Sequence, residues 1–131
     1  MQMRSAIALC GAAGMALAGA MLADRPASAH HSMAMFDQTR EVTVSGTVRE
    51  FQWTNPHAYI QMVSKNRAGE DVEWSLEMGA PMYLYARGWR PRTLRPGTEI
   101  KARIYPLRNG LAGGVVLDVT DAAGKSIGSN Q

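Results

Sequence analysis

Hydrophobic and polar positions follow two different patterns along this chain. From Ser5 to Ala23 the residues are apolar almost without a break, rich in Ala, Gly, Leu and Met, with Arg4 ahead of them. Asp24, Arg25 and Pro26 end the run, and Ala27-Ser28-Ala29 follows. A positive start, an apolar stretch and a small-x-small site are the parts of a secretory signal peptide, so residues 1–29 are expected to be cleaved off. A cut after Ala20 also satisfies the small-residue rule but ignores the polar segment. As a permanent anchor the run is long enough but weakened by its many Ala and Gly. Cys10 follows Leu9, where lipoprotein processing needs a small residue, and a lone Arg argues against a twin-arginine route.

After an aperiodic arm at residues 30–40, alternation takes over. Val42, Val44, Gly46 and Val48 share one parity, with Thr43, Ser45 and Thr47 on the other. The apolar parity then switches to Phe51 and Trp53, which predicts a long, curved first strand with a one-residue bulge at Arg49 or Glu50. Thr54-Asn55-Pro56 reads as a turn. Ala58, Ile60 and Met62 alternate as a second strand, and Ser64 to Gly69 as a hairpin turn. Val72, Trp74, Leu76 and Met78 form the inward face of a third strand, opposite Glu73, Ser75 and Glu77.

Pro81 suits the first turn of a helix, Met82 to Arg87 give about two turns, and Gly88 is a stop signal. Ile100, Ala102 and Ile104 mark a fourth strand; Val115, Leu117 and Val119 mark a fifth. Asn109-Gly110 and Gly113-Gly114 read as turns, and residues 124–131 as a frayed tail. Three strands, a helix and two strands predict an all-β, five-stranded OB-like Greek-key barrel over residues 41–123. An open β-sandwich is the alternative.

Composition narrows the function classes. Cleavage after Ala29 leaves residues 30–131, one domain with a modest core. Cys10, the only cysteine, leaves with the signal, so the mature chain has no disulfide, thiolate metal site or cysteine nucleophile. Losing Arg4, Arg25 and Asp24 lowers the formal charge from +3 to +2. That balance and a periplasmic or secreted location give no reason to expect nucleic acid, and no stable membrane anchor remains after cleavage.

The chain resembles a family of small exported bacterial proteins of unknown function. The resemblance rests on His30-His31-Ser32, Phe36-Asp37, Gly46-Thr47-Val48 and, most specifically, Phe51-Gln52-Trp53-Thr54-Asn55-Pro56-His57. Glu73-Trp74, Glu77-Met78 with Pro81, Gly88-Trp89 and Pro96-Gly97 continue it. It implies a secreted single-domain protein and carries no activity.

The residues themselves offer one chemistry. Cleavage would make His30 the first residue, presenting an α-amine with a pKa near ~8 beside its own imidazole. A further imidazole would complete three nitrogens, a set suited to Cu(II) and known as a histidine brace. His57, behind the Asn55-Pro56 turn, is the leading candidate for it; His31 is the second. Met33 and Met35 add soft thioethers that favour Cu(I). The plainer reading is a solvated His-His start and a loop histidine. Zinc is a poorer fit without cysteines.

The alternative function is a metal-free adaptor for an envelope protein or small ligand. Its face would carry Tyr59, Glu73 and Glu77, with Trp53 at the edge. The plainer reading of Glu73 and Glu77 is the polar side of a half-buried strand. Between Arg87 and Arg108 lie seven basic residues and one acid, Glu99. Such a face suits anionic headgroups or an acidic partner, or is simply solvated and balanced by the acids of strand three. No catalytic serine–histidine or carboxylate arrangement and no phosphate loop is recognisable.

Overall fold

The computed structural model describes residues 33–128. The strands are β1 (Val42–Gln52), β2 (Tyr59–Lys65), β3 (Asp71–Glu77), β4 (Glu99–Pro106) and β5 (Gly113–Asp121). One helix, α1 (Pro81–Ala86), stands between β3 and β4. The strands close into a barrel in the order β1-β2-β3-β5-β4, with β3 and β5 parallel and every other pair antiparallel. This is the expected all-β OB-like barrel with its short helix.

β1 serves two neighbours. Its first half pairs with β4 and its second half with β2, and the register shifts between Val48 and Glu50. Arg49 is therefore the bulged residue that moves Phe51 onto the inner face. Gly46 lies where β1 passes between its two partners. A Cβ there would run into the Val63 carbonyl and the Met62 side chain. The glycine permits a close backbone approach as well as a bend.

The core gathers Val44, Val48, Ile60, Met62, Leu76, Ile100, Ala102, Ile104 and Val119. Trp74 and Val116 pack against it while only partly buried. Trp74 takes the expected inward side but differs from a fully buried core residue because its indole N–H donates to Ser64 Oγ at 2.9 Å, which turns its polar edge toward the rim. Leu117 differs too. The β4–β5 register slips between Arg103, opposite Asp118, and Ile104, opposite Val116. Leu117 is the extra residue of that bulge, so Val116 takes the inward position.

Two loop and tail assignments are corrected, and the arm is placed. Gly113 and Gly114 are not a turn but the buried start of β5. A Cβ on Gly114 would meet the Tyr105 carbonyl and Ile104, so bare backbone is what lets β5 fit between β4 and β3. Residues 124–128 are not frayed. Ile127 N–H donates to the Val119 carbonyl at 2.8 Å, Ser126 bridges Thr120, and Ile127 packs on the core. From Met33 onward the arm is docked on the barrel. Phe36 is 2% exposed and bridges Leu107, and Asp37 N–H donates to the Pro106 carbonyl at 2.8 Å.

α1 lies with Pro81 and Leu84 inward. Gly88 stops it at φ 88°, and Trp89 N–H returns to the Leu84 carbonyl at 3.0 Å. That hairpin of backbone drives Trp89 into the barrel end, where it is fully buried against Phe51, ring centroids 5.7 Å apart. The burial of Trp89 is not visible in the sequence, because no strand or helix period runs through it.

Candidate functional site

The outer surface of β1, β2 and β3 is built in cross-strand rows. Gln52, Tyr59 and Glu77 form one row; Glu50, Gln61 and Ser75 form the next. Gln61 Nε2 donates to Gln52 Oε1 at 3.0 Å and to Ser75 Oγ at 3.1 Å, tying the two rows together. In OB barrels the strand 2–3 surface, flanked by the β1–β2 and β4–β5 loops, is the ligand side. Here the β1–β2 loop carries His57 and the β4–β5 loop is packed by the arm, through Arg108 N–H to the Met35 carbonyl at 2.9 Å.

His57 is held firmly. In its loop Thr54 Oγ1 donates to the His57 carbonyl at 2.8 Å. The ring nitrogen Nδ1 lies 3.0 Å from the Met78 carbonyl and 3.5 Å from Glu77 Oε1. Both neighbours are acceptors only, so Nδ1 carries the proton in the neutral ring and Nε2 keeps its lone pair. The side chain is 36% exposed, so a metal ion can approach it. A donor bond from one ring nitrogen to a backbone carbonyl is how metal-bound histidines are usually oriented.

Glu77 is only 19% exposed, unlike the fully solvated residue the alternation predicts. It is covered from two sides, by the His57 ring and by its cross-strand partner Tyr59. Burial, then the Glu77 charge and a hydrogen bond to it, holds the Tyr59 phenol above its ordinary value of 10.0. The folded state therefore disfavours the phenolate. This contribution to stability is complete below pH ~10 and is lost as pH rises through the higher folded value. Titrating tyrosinate absorbance should show one phenol ionising late, and Glu77→Gln should bring it back toward 10.0. A late phenol unmoved by the substitution would leave burial as the whole cause.

Tyr59, Glu77 and His57 are thus brought together. Glu73 is not part of that group: it lies further along β3, 78% exposed, facing Arg49 Nη2 at 3.4 Å. Trp53 packs edge-on against Phe51 at 5.7 Å and leans on the core. Met33 and Met35 stand on the docked arm, 37% and 57% exposed. His30 and His31 lie outside the described residues. Among the described residues no group of three or more His, Cys, Asp or Glu side chains is gathered for a metal. Also among them, no helix is long and apolar enough to cross a membrane. Gln52, Gln61 and the Met78 carbonyl are site groups that the sequence does not single out. Strand parity was the available signal for the two glutamines.

A family model described as a family of unknown function (DUF6152) matches residues 19–117. The chain belongs to this family. No curated protein matches it, and no solved structure does. The family match begins inside the apolar N-terminal run and ends within β5, so it takes in the arm, the His57 loop and the whole β2–β3 surface.

Proposed function

We propose that this is an exported protein of the cell envelope that binds copper through a mature N-terminal histidine brace. His30 would supply its α-amine and imidazole, and His57 would supply Nε2. Met33 and Met35 are auxiliary thioethers for the reduced ion, and His31 is the reserve imidazole. The observation that carries the reading is the His57 ring, fixed through Nδ1 on the Met78 carbonyl with Nε2 left as a lone-pair donor. Bound copper would supply one-electron redox chemistry; the protein residues fix how many nitrogens it meets.

The course of the arm supports the reading. Phe36 bridges Leu107, Leu107 N–H donates to the Gly113 carbonyl, and Gly113 pairs with Ser75 on β3. Three inter-strand steps of about 4.8 Å come to about 15 Å between the arm and the strand carrying Glu77. Met33 to Phe36 are folded as a helical turn, closed by Phe36 N–H on the Met33 carbonyl, and span at most about 7 Å. Three extended residues from Met33 back to His30 would add about 10 Å, which together just meet that distance.

The second reading, a metal-free adaptor for an envelope protein or small ligand, is favoured by the same β2–β3 surface. Much of that surface is already satisfied internally by the Gln52–Gln61–Ser75 bonds, which leaves fewer groups for a partner.

The test uses protein isolated after export. Its intact mass should correspond to residues 30–131. Titration with Cu(II) should reach one equivalent, with nitrogen hyperfine structure in the paramagnetic resonance spectrum. His57→Ala should weaken binding by about tenfold or more, as one donor of a chelating set is lost, and should remove one nitrogen from that spectrum. An unchanged spectrum in His57→Ala would exclude His57 as a ligand. No stoichiometric binding would favour the adaptor.

A further inference from the structure

The basic stretch after α1 behaves differently from the expectation that strand-three acids balance it. Those acids are engaged elsewhere: Asp71 with Lys65 at 2.6 Å, Glu73 with Arg49 at 3.4 Å, and Glu77 beneath His57. Arg103 is paired with Glu41 at 2.8 Å. Arg87, Arg92 and Arg95 are exposed and have no ion-pair partner among the described residues. Arg90 is occupied with the Tyr85 and Trp89 carbonyls and lies 3.7 Å over the Tyr85 ring, still with its charge uncompensated. Between Glu77 and Glu99 the sequence contains no acid at all.

The same segment exposes apolar surface. Six large hydrophobic residues stand exposed among the described ones, and three of them, Met82 (70%), Tyr83 (62%) and Tyr85 (57%), belong to the six-residue α1. Pro81 and Leu84 anchor the inner side of the helix, so helical spacing turns Met82 and Tyr83 outward, while Tyr85, one turn after Pro81, stands at the edge of the inner side with its exposed ring beneath Arg90. The result is an amphipathic cap, tyrosines and a methionine beside four arginines, on a rigid base held by Leu84, Trp89 and Leu94.

We propose that this cap, residues 81–95, seats the protein on an anionic phospholipid surface. Tyrosine is enriched where its apolar body and polar tip straddle the headgroup layer. Arginine meets phosphate with a planar fork of donors. The excess of positive charge, four arginines against Glu50, which lines the same hollow as Arg92 and Arg95, makes the attraction one of sign, and the exposed Met82, Tyr83 and Tyr85 give it an apolar component that an acidic polymer in solution would not use. This surface is independent of the copper site, and its contacts do not involve His57.

The experiment uses protein starting at His30. This keeps the whole barrel, whose core is drawn from residues 44–119, and removes the apolar run that would bind any bilayer. Co-sedimentation with vesicles of phosphatidylglycerol and phosphatidylcholine should show binding that is absent with phosphatidylcholine alone. Raising salt to about 0.5 M should release it, as expected for a screened attraction. Arg92→Glu with Arg95→Glu should lower partitioning at least about tenfold, since each surface charge contributes on the order of one such factor. Tyr83→Ser should lower it by a smaller factor. Lys125→Glu, remote in sequence, should lower it far less than the double reversal. Thermal melting of each variant establishes that the barrel is intact; all four positions are exposed. Equal binding to both vesicle types would overturn the proposal. So would a reversal at Lys125 as damaging as the pair, which would mean net charge alone. Capture by soluble polyglutamate as tight as by the anionic vesicles, unaffected by Tyr83→Ser, would assign the cap to an acidic protein instead.

Discussion

A chain that begins at His30 should bind one Cu(II) ion about a hundredfold or more tightly than the same chain with its α-amine acetylated. The estimate follows from chelation. An amine and an imidazole on one residue act as a linked pair, so losing one turns the other into a single donor and forfeits the effective concentration of the linkage. Acetylation removes the amine's charge and lone pair and leaves the side chains untouched. It is a cleaner probe than an added residue. One residue placed before His30 would make His31 third in the chain, in position for a different amine–amide–imidazole chelate. The acetylated form should keep the His57 nitrogen and lose the terminal one, whereas His57→Ala should do the reverse. Combining the two should leave little beyond a lone histidine's affinity. Equal affinity in the free and acetylated forms would mean that the amine is not a ligand, and the brace would then be abandoned whatever His57 does.

The fold was legible wherever strand parity ran uninterrupted. Val44, Val48, Ile60, Leu76, Ile100 and Ile104 take the inner face that their alternation dictates. The bulge at Arg49 was legible as well, because the parity switch from Val48 to Phe51 lies within a single strand. Leu117 was not. Its bulge is defined by the partner's register at Arg103 and Ile104, and Val115, Val116, Leu117 and Val119 are all apolar, so the sequence carries no parity contrast to reveal the slip. Gly113 and Gly114 look like a turn because glycine serves turns and close approaches alike. Only the crossing of β5 between β3 and β4 distinguishes the two.

For the candidate site, the importance of His57 could be read from its place behind Asn55-Pro56, but its orientation could not. Nδ1 is set by a carbonyl 21 residues away, and that contact exists because Ala58 and Met78 meet at the end of the β2–β3 ladder, Met78 N–H to Ala58 carbonyl at 2.8 Å. Glu77 was misjudged for a related reason. Alternation says which side of a strand a residue faces, not whether a neighbouring loop covers that side. The basic stretch shows the converse: the sequence counts charges, and only the fold decides which acids are near enough to cancel them.

Replacing Trp89 with Ala should destabilise the barrel by about 3–5 kcal/mol, a large part of the stability of a domain this size. Trp89 is fully buried, stacks at a tilt on Phe51 and supports the Gly128 end of the returning tail. Removing the indole would open a cavity between the barrel end, α1 and the tail, where the surrounding strands can collapse only partly. Trp89→Phe separates this packing effect from any polar role of the indole. Among the described residues, the buried Nε1–H has no hydrogen-bond partner. Phe keeps most of the aromatic contact and discards that donor, so the volume it loses is offset by removal of an unpaired polar group. Urea denaturation followed by circular dichroism should place Trp89→Phe within about 1.5 kcal/mol of the parent chain and Trp89→Ala well below both. Equal losses in the two variants would show that the indole nitrogen, rather than the ring's volume, holds this end of the barrel.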